Sequence, residues 1–335
     1  MHLQQVDSIP KDLLNIDAQS IHSLLPEPTL FHLPGKQKHP LFISVLLHGN
    51  ETTGFLALQK LLKKYQNQQL PRALSFYLGN TAAAEQGLRR LAEQPDFNRI
   101  WPGTELPCTP ETKIAQEIVE TMAKKQVFAS IDIHNNTGLN PHYACITSLD
   151  HQFLQLANLF GRLVVYFTRP KGVQSGAFAK VCPAVTLECG KPGQPHGVDH
   201  AFEYLNSCLH LSKLAEHPVP SQDIDIYHTV AQVKINDNIH FSFDDPSAEL
   251  LLTKSLEKMN FTEIPIGTPI GQVIDKKQLP ITAINELGEQ VSNKFFKLSN
   301  NLLQLNAKTM PSMLTLDERV IKQDCLCYLM EKIKL

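Results

Sequence analysis

LFISVLLHGNETTG, residues 41–54, decides how this chain is read. Residues 41–47 are a continuous apolar run of strand length, the pattern of a strand buried on both faces of a sheet. His48 and Glu51 close the run, with Gly49 and Asn50 between them. The next stretch, TGFLALQKLLKKY at 53–65, puts Phe55, Leu56, Leu58, Leu61 and Leu62 near helical spacing. A buried strand therefore ends in two groups that bind protons or metal ions, and a helix follows.

The same alternation extends along the first two-thirds of the chain. LSFYLGN (74–80), VFASIDI (127–133), HYACITS (142–148), LVVYFT (163–168) and AVTLE (184–188) are further strands. TAAAEQGLRRLAEQ (81–94), PETKIAQEIVETMAKKQ (110–126), LDHQFLQLANLFGR (149–162) and GVDHAFEYLNSCLHLSKL (197–214) are helices. Thr81 opens the first of them, and the second carries Glu111 in its first turn and lysines in its last, as the helix dipole favours. Strands alternating with helices imply an α/β domain with a mostly parallel sheet covered on both faces.

The pattern changes at HPVPSQ, 217–222, a Pro-rich linker. Beyond it IYHTVAQVKI (226–235), IHFSFDD (239–245), IPIGTPIGQVI (264–274) and FFKLSNNLLQLN (295–306) are short β-like runs broken by turn signals. The expected organisation is an α/β domain over 1–218 and a smaller β-rich domain over 219–335.

Composition narrows the function classes. The 335 residues carry a net charge of −2 and no basic stripe, which argues against nucleic acid as a partner. No apolar stretch approaches the roughly 20 residues of a membrane helix. The N-terminus lacks a basic segment followed by an apolar core, so no signal peptide is expected. Seven scattered cysteines without a CxxC pair point to reduced thiols and the cytoplasm, with Cys325 and Cys327 as buried thiols. The oligomeric state leaves no signal in the sequence.

In open parallel sheets, ligands bind beyond the carboxyl ends of the strands. His48 and Glu51 lie past the end of 41–47, His134 past 127–133, and Glu188 ends 184–188. Two histidines and a glutamate with an open fourth position are a catalytic zinc ligand set, and Glu188 is a spare carboxylate for a general base. A lone HxxE is a weak signal; its joint placement with His134 and Glu188 is what counts. Asp132 shares a strand face with His134 and suits an orienting carboxylate. His142 is the rival third ligand, but it opens the next strand and is expected at the opposite end or in the connecting loop.

HGNE (48–51), DFNRIWPG (96–103), DIH (132–134) and TLECG (186–190), in this order, resemble the succinylglutamate desuccinylase and aspartoacylase family of zinc carboxypeptidase-like metallohydrolases. The resemblance spans residues 42–190, and the β-rich C-terminal piece fits the family's second domain. It implies a three-layer α/β/α zinc carboxypeptidase-like domain, one Zn2+ per chain, and hydrolysis of the amide bond of a small anionic N-acyl amino acid. The family's ligand pattern falls on His48, Glu51 and His134, and its general base on Glu188. Its Asn-Arg pair for the substrate carboxylate falls on Asn98 and Arg99. Its upstream arginine, which polarises the scissile carbonyl, falls on Arg90; Arg89 competes because AEQP inserts one residue relative to the usual spacing.

The residue chemistry agrees with these assignments. Arginine grips a carboxylate bidentately. DFNRIWPG has no helical period and is punctuated by Pro102 and Gly103, so it is a loop available for binding. The chain departs from the family pattern after the third ligand. There HNNTGLNPHY (134–143) brings Asn135, Asn136 and His142 to a differently polar pocket. Arg169 is a further candidate cation, Lys191 and His196 are rim or solvated residues, and the HxxxH pair His196 and His200 reads as exposed. Two rival functions stand beside the deacylase: a carboxypeptidase-like zinc peptidase, and a non-catalytic binding module on a hydrolase fold. The complete set of His48, Glu51, His134 and Glu188 argues against the second.

Overall fold

The computed structural model describes residues 2–274 and 278–334. The chain divides into two compact units, Met1–Asn135 with His142–Asp225, and Asn136–Pro141 with Ile226–Leu335.

The first unit holds strands β1 (Gln4–Val6), β2 (Thr29–Leu33), β3 (Gly35–Val45), β4 (Leu70–Leu78), β5 (Ala129–His134), β6 (Tyr143–Ile146), β7 (Leu163–Tyr166) and β8 (Ala184–Glu188). Its helices are α1 (Ile21–Leu24), α2 (Thr53–Lys64), α3 (Thr81–Glu85), α4 (Pro110–Lys124), α5 (His151–Asn158), α6 (Gln174–Phe178) and α7 (Pro195–His210). The strands lie in the order β1-β2-β4-β3-β5-β8-β6-β7. The four central strands β4, β3, β5 and β8 are mutually parallel. Every residue of β5 and β8 is buried, as a doubly covered parallel strand requires. At the flanks the direction reverses, with β2 antiparallel to β4 and β6 antiparallel to β8.

Strand alternation shows how the sheet is covered. Gly54 of α2 lies against Val45 of β3 and Ile133 of β5. Phe178 of α6 stacks on Phe42 of β3, and Gln174 of α6 donates to Ser130 of β5. Positions 42 and 45, like 130 and 133, point to opposite faces. Helices α2 and α6 therefore sandwich the sheet, and α7 packs beside α2.

The 41–54 stretch explains itself in this setting. The chain leaves β3 through Leu46, whose φ of 57° is left-handed and strained for a leucine. The amide of Asn80 donates to Leu46 O at 2.6 Å and that of Gly79 to Val45 O at 2.9 Å, which hold the turn. A Cβ on Gly49 would lie 2.2 Å from Ala84 N, and one on Gly54 would lie 2.8 Å from Ile133 Cβ. Both glycines are there because neighbouring atoms approach too closely for a side chain.

The helix expected over 81–94 is corrected to a single short segment, Thr81–Glu85. Asn80 caps it by accepting from Ala83 N, and Gly87 at φ +63° ends it. The following residues turn back, and Gly49 N donates to Arg89 O at 3.1 Å.

The second unit is β-rich. It contains β9 (Asp225–Ile235), β10 (Phe241–Ser242), β11 (Leu250–Leu252), β12 (Pro269–Val273), β13 (Ile281–Asn285), β14 (Phe296–Ser299), β15 (Leu302–Leu305), β16 (Met310–Ser312) and β17 (Cys327–Ile333). One antiparallel group runs β13-β9-β17-β16, and a second sheet runs β10-β11-β12-β15-β14. Val233, Phe241, Leu250, Phe295, Leu303 and Leu329 lie in their shared core. All seven cysteines are free thiols, and Cys325 and Cys327 are buried. No helix among the described residues is long and apolar enough to cross a membrane.

Gly49→Ala should destabilise the first unit by about 1–3 kcal/mol, the usual cost of overpacking, or about 2–4 °C of midpoint per kcal/mol. The control is Gly161→Ala, where a Cβ meets nothing within 4 Å. Thermal unfolding followed by circular dichroism compares the two. Equal midpoints would refute the close-approach account.

Candidate metal centre

Three parallel strands deliver the cluster to one edge of the sheet. β3 leads through Leu46 to His48 and Glu51, β5 ends at His134, and β8 ends at Glu188. Register keeps them together, with His134 opposite Glu188 and Ser44 opposite Asp132.

His48, Glu51 and His134 are all buried, and their ligand atoms lie within 4.8 Å of one another. Glu51 stands between the two rings. Its Oε1 is 2.8 Å from His48 Nδ1, and its Oε2 is 2.7 Å from His134 Nδ1. The far nitrogens also meet carboxylates: His48 Nε2 is 3.0 Å from Asp96 Oδ1, and His134 Nε2 is 2.7 Å from Asp132 Oδ2. Ser44 Oγ donates to the other Asp132 oxygen at 2.6 Å. These residues fit a divalent cation. Two Nδ1 atoms and a carboxylate converge, and each ring has an outer carboxylate to fix its orientation.

Electrostatics agree with that fit. Burial alone would raise the Glu51 carboxyl, but His48 and His134 reverse this and hold it well below the usual carboxylate range. Asp96 is likewise pulled down against its burial, by His48 and Arg89. Burial disfavours the His134 cation, yet Asp132 and Glu51 raise its pKa well above the ordinary value. Glu188 behaves differently: burial pushes its carboxyl up to about 8, partly offset by His134.

The other expected site residues divide into those brought to the cluster and those not. Asn98 is at the cluster, with Nδ2 3.3 Å from His134 Nε2 and Oδ1 accepting from Gln174 N. Arg99 is half-buried on the same loop, donates to Asn98 O, and its charge acts on Asp96. Arg90 is not at the cluster, because its guanidinium turns to Gln94 O at 2.8 Å. Arg89 stands there instead, 3.4 Å from Glu51 Oε1 and 3.1 Å from Asp96 Oδ2. The turn after Gly87 and the Gly49 bond to Arg89 O set that choice. Arg169 pairs with Glu105 at 3.3 Å.

Asn135 braces the site. Its amide donates to Thr53 Oγ1 and Gly190 O, and its backbone N–H donates to Glu51 Oε2. His142 lies near the Glu188 end of the sheet, not the far end, because β6 runs antiparallel to β8. It faces another histidine, however, with Nδ1 2.8 Å from His200 Nδ1. His196 is exposed, but His200 is half-buried and donates to Phe160 O. Asp96 escaped the sequence reading. Its signal was its place in DFNR, two residues before Asn98.

Residues 38–202 match the family described as the succinylglutamate desuccinylase/aspartoacylase catalytic domain. This segment belongs to that family. Its members are hydrolases of acyl-amino acid amide bonds. A search of curated protein sequences finds no match. Among solved structures, succinylglutamate desuccinylase from Chromobacterium violaceum is 18% identical, with a TM-score of 0.58 over 89% of this chain and 86% of that one. Murine aminoacylase 3 is 17% identical, with a TM-score of 0.56 over 90% of this chain and 97% of that one. A product-bound ectoine utilization protein from Ruegeria pomeroyi is 13% identical, with a TM-score of 0.56 over 91% and 88%. At these identities the likeness is one of fold.

Metal analysis of purified variants tests the cluster. His48→Ala should lose the ion. Asp96→Asn and Asp132→Asn should keep the fold but weaken metal affinity roughly 10–100-fold, the usual effect of outer-shell loss. Stoichiometric metal in His48→Ala would remove the assignment.

The histidine pair predicts a pH effect on stability. Burial, then His200 and His196, lower the His142 pKa from 6.5 to about 4. The unfolded chain therefore binds the proton first. This contribution is complete above 6.5 and is lost as pH falls towards 4. Denaturant unfolding between those limits should slope less in His142→Gln than in the parent. Identical slopes would show that His142 is not the group responsible.

Proposed function

We propose that this protein is a zinc-dependent hydrolase that cleaves the amide bond of a small N-acyl amino acid. The observation that supports it best is the buried His48–Glu51–His134 cluster, backed by Asp96 and Asp132, with Glu188 opposite His134. The donor set suits zinc, since two imidazoles and one carboxylate leave an open position. Zinc held there supplies a Lewis acid for the carbonyl and a water with a pKa of about 7.

The chain's own residues do the rest. Asp96 and Asp132 fix the two rings. A Glu188 carboxylate oxygen takes the proton that the attacking water loses and passes it to the nitrogen of the leaving amine. His134 offsets part of the burial that raises Glu188, and so favours the carboxylate that a base must be. Arg89, and not Arg90, steadies negative charge on the carbonyl oxygen; one such donor contributes on the order of 3 kcal/mol. Arg99 receives the substrate's α-carboxylate, in a charged hydrogen bond of roughly 1.5–3 kcal/mol. Asn98, tied to Gln174 and His134, holds this loop against the cluster.

A panel of N-acyl amino acids and their carboxamide counterparts tests the reading. Acids should react faster than amides, and Arg99→Ala should erase the difference. Glu188→Gln should keep the metal and lower turnover about 10²–10⁴-fold. Equal rates on acids and amides would remove Arg99 from its role, and near-normal turnover in Glu188→Gln would place the base elsewhere.

A further inference from the structure

A second cavity lies at the other end of the sheet. Its volume is about 470 Å³, and its walls include Gln37, His39, Arg72, Gln126, Phe128 and Ser212. Gln37 and His39 belong to the first half of β3, and Phe128 immediately precedes β5. Phe128 and His134 are six residues apart along extended chain, roughly 20 Å. A ligand here is therefore distinct from one at the metal cluster.

Arg72 is the unusual member of this wall. It is 2% exposed, yet it lies just below the surface beside an open cleft. Nη1 donates to His39 O at 2.8 Å, and Nη2 donates to Leu211 O at 2.7 Å and to the Gln37 side chain. Every one of these acceptors is neutral. Hydrogen bonds to carbonyls satisfy donors but leave the charge uncompensated, and among the described residues no carboxylate pairs with Arg72. The Phe128 ring, 3.6 Å from Cζ, offers only partial relief through its π face. Among the described residues the buried Nε of Arg72 has no hydrogen-bond partner.

The surroundings favour the same sign of ligand. None of the lining residues is acidic. Lys36 and Lys38 flank Gln37, Lys125 precedes Gln126, Lys180 precedes Val181, and Lys213 follows Ser212; all are exposed. These lysines neighbour lining residues in the sequence, and an excess of one sign of charge in the region of a cleft concentrates counter-ions.

We propose that this cavity, with Arg72 in its wall, binds a small oxyanion that carries phosphate or carboxylate groups. The guanidinium supplies the fixed charge and the unpartnered Nε donor, Gln37 and Ser212 supply polar edges, and Phe128 supplies an apolar wall. The volume suits a compact metabolite and lies within the usual range for small-molecule sites.

Isothermal titration with inorganic phosphate, and separately with citrate, tests this on the full chain. At least one of the two should bind with one equivalent per chain, and the arm that binds names the group. Affinity should fall at least tenfold in Lys38→Glu/Lys125→Glu and in Arg72→Lys, since a lysine cannot reproduce the stacked fork. The lysine changes are at exposed positions, so that double variant decides the matter even where Arg72→Lys does not fold. Binding should be unchanged in His48→Ala, which separates this site from the metal cluster. Absence of binding by both anions, indifference to the lysine changes, or loss in His48→Ala would each overturn the proposal.

Discussion

The Glu51 carboxylate, gripped between two imidazoles, is the interaction on which the site's architecture depends. A buried carboxylate is costly without partners, and this one has His48 Nδ1, His134 Nδ1 and the Asn135 amide within hydrogen-bonding reach. The wider group adds the carboxylates of Asp96 and Asp132, with Arg89 beside Glu51 and Asp96 and the charge of Arg99 also acting on Asp96. Two imidazoles and a carboxylate converging in such a group suit a divalent cation, while His48 and His134 pull Glu51 down and burial raises Glu188.

That demand shapes the local backbone. Two imidazoles and a carboxylate can meet only if β3 and β5 end side by side, which parallel pairing in register achieves. The chain must then leave β3 abruptly, and Leu46 carries a left-handed φ to do so. Strain of this kind persists where surrounding structure over-determines it. Here the over-determination is visible in the bonds from Gly79 and Asn80, and in the two close approaches that leave no room for a Cβ at Gly49 or Gly54. Asn135 then ties the start of α2 to the loop after β8, so the ligand loop and the loop following Glu188 are held by one side chain.

The parts of this that were legible in the sequence are those governed by period and strand ends. The apolar runs ending at His48, His134 and Glu188 placed three strand termini on one edge because parallel strands share a direction. Features set by tertiary choice were not legible. Helical spacing runs on through 81–94, yet the helix stops after Glu85 because the chain must turn to bring Arg89 beside Glu51. Whether Arg89 or Arg90 faces the cluster is a matter of one residue in a turn without a period. The direction of β6 was hidden too, since an apolar strand reads the same parallel or antiparallel. Its reversal puts His142 near the Glu188 end, where it meets His200 and not a metal ligand.

Net charge conceals a division of charge between the two ends of this sheet. The total of −2 is unremarkable. It says nothing of small ligands, because opposite excesses cancel in the sum. The carboxyl ends of β3 and β5 gather carboxylates around the cluster, while the approaches to the same strands gather Arg72 and exposed lysines. Strands that are buried throughout their central length keep the two groups apart and rigidly placed. The two groups of charge therefore stand at opposite ends of the strands without neutralising each other.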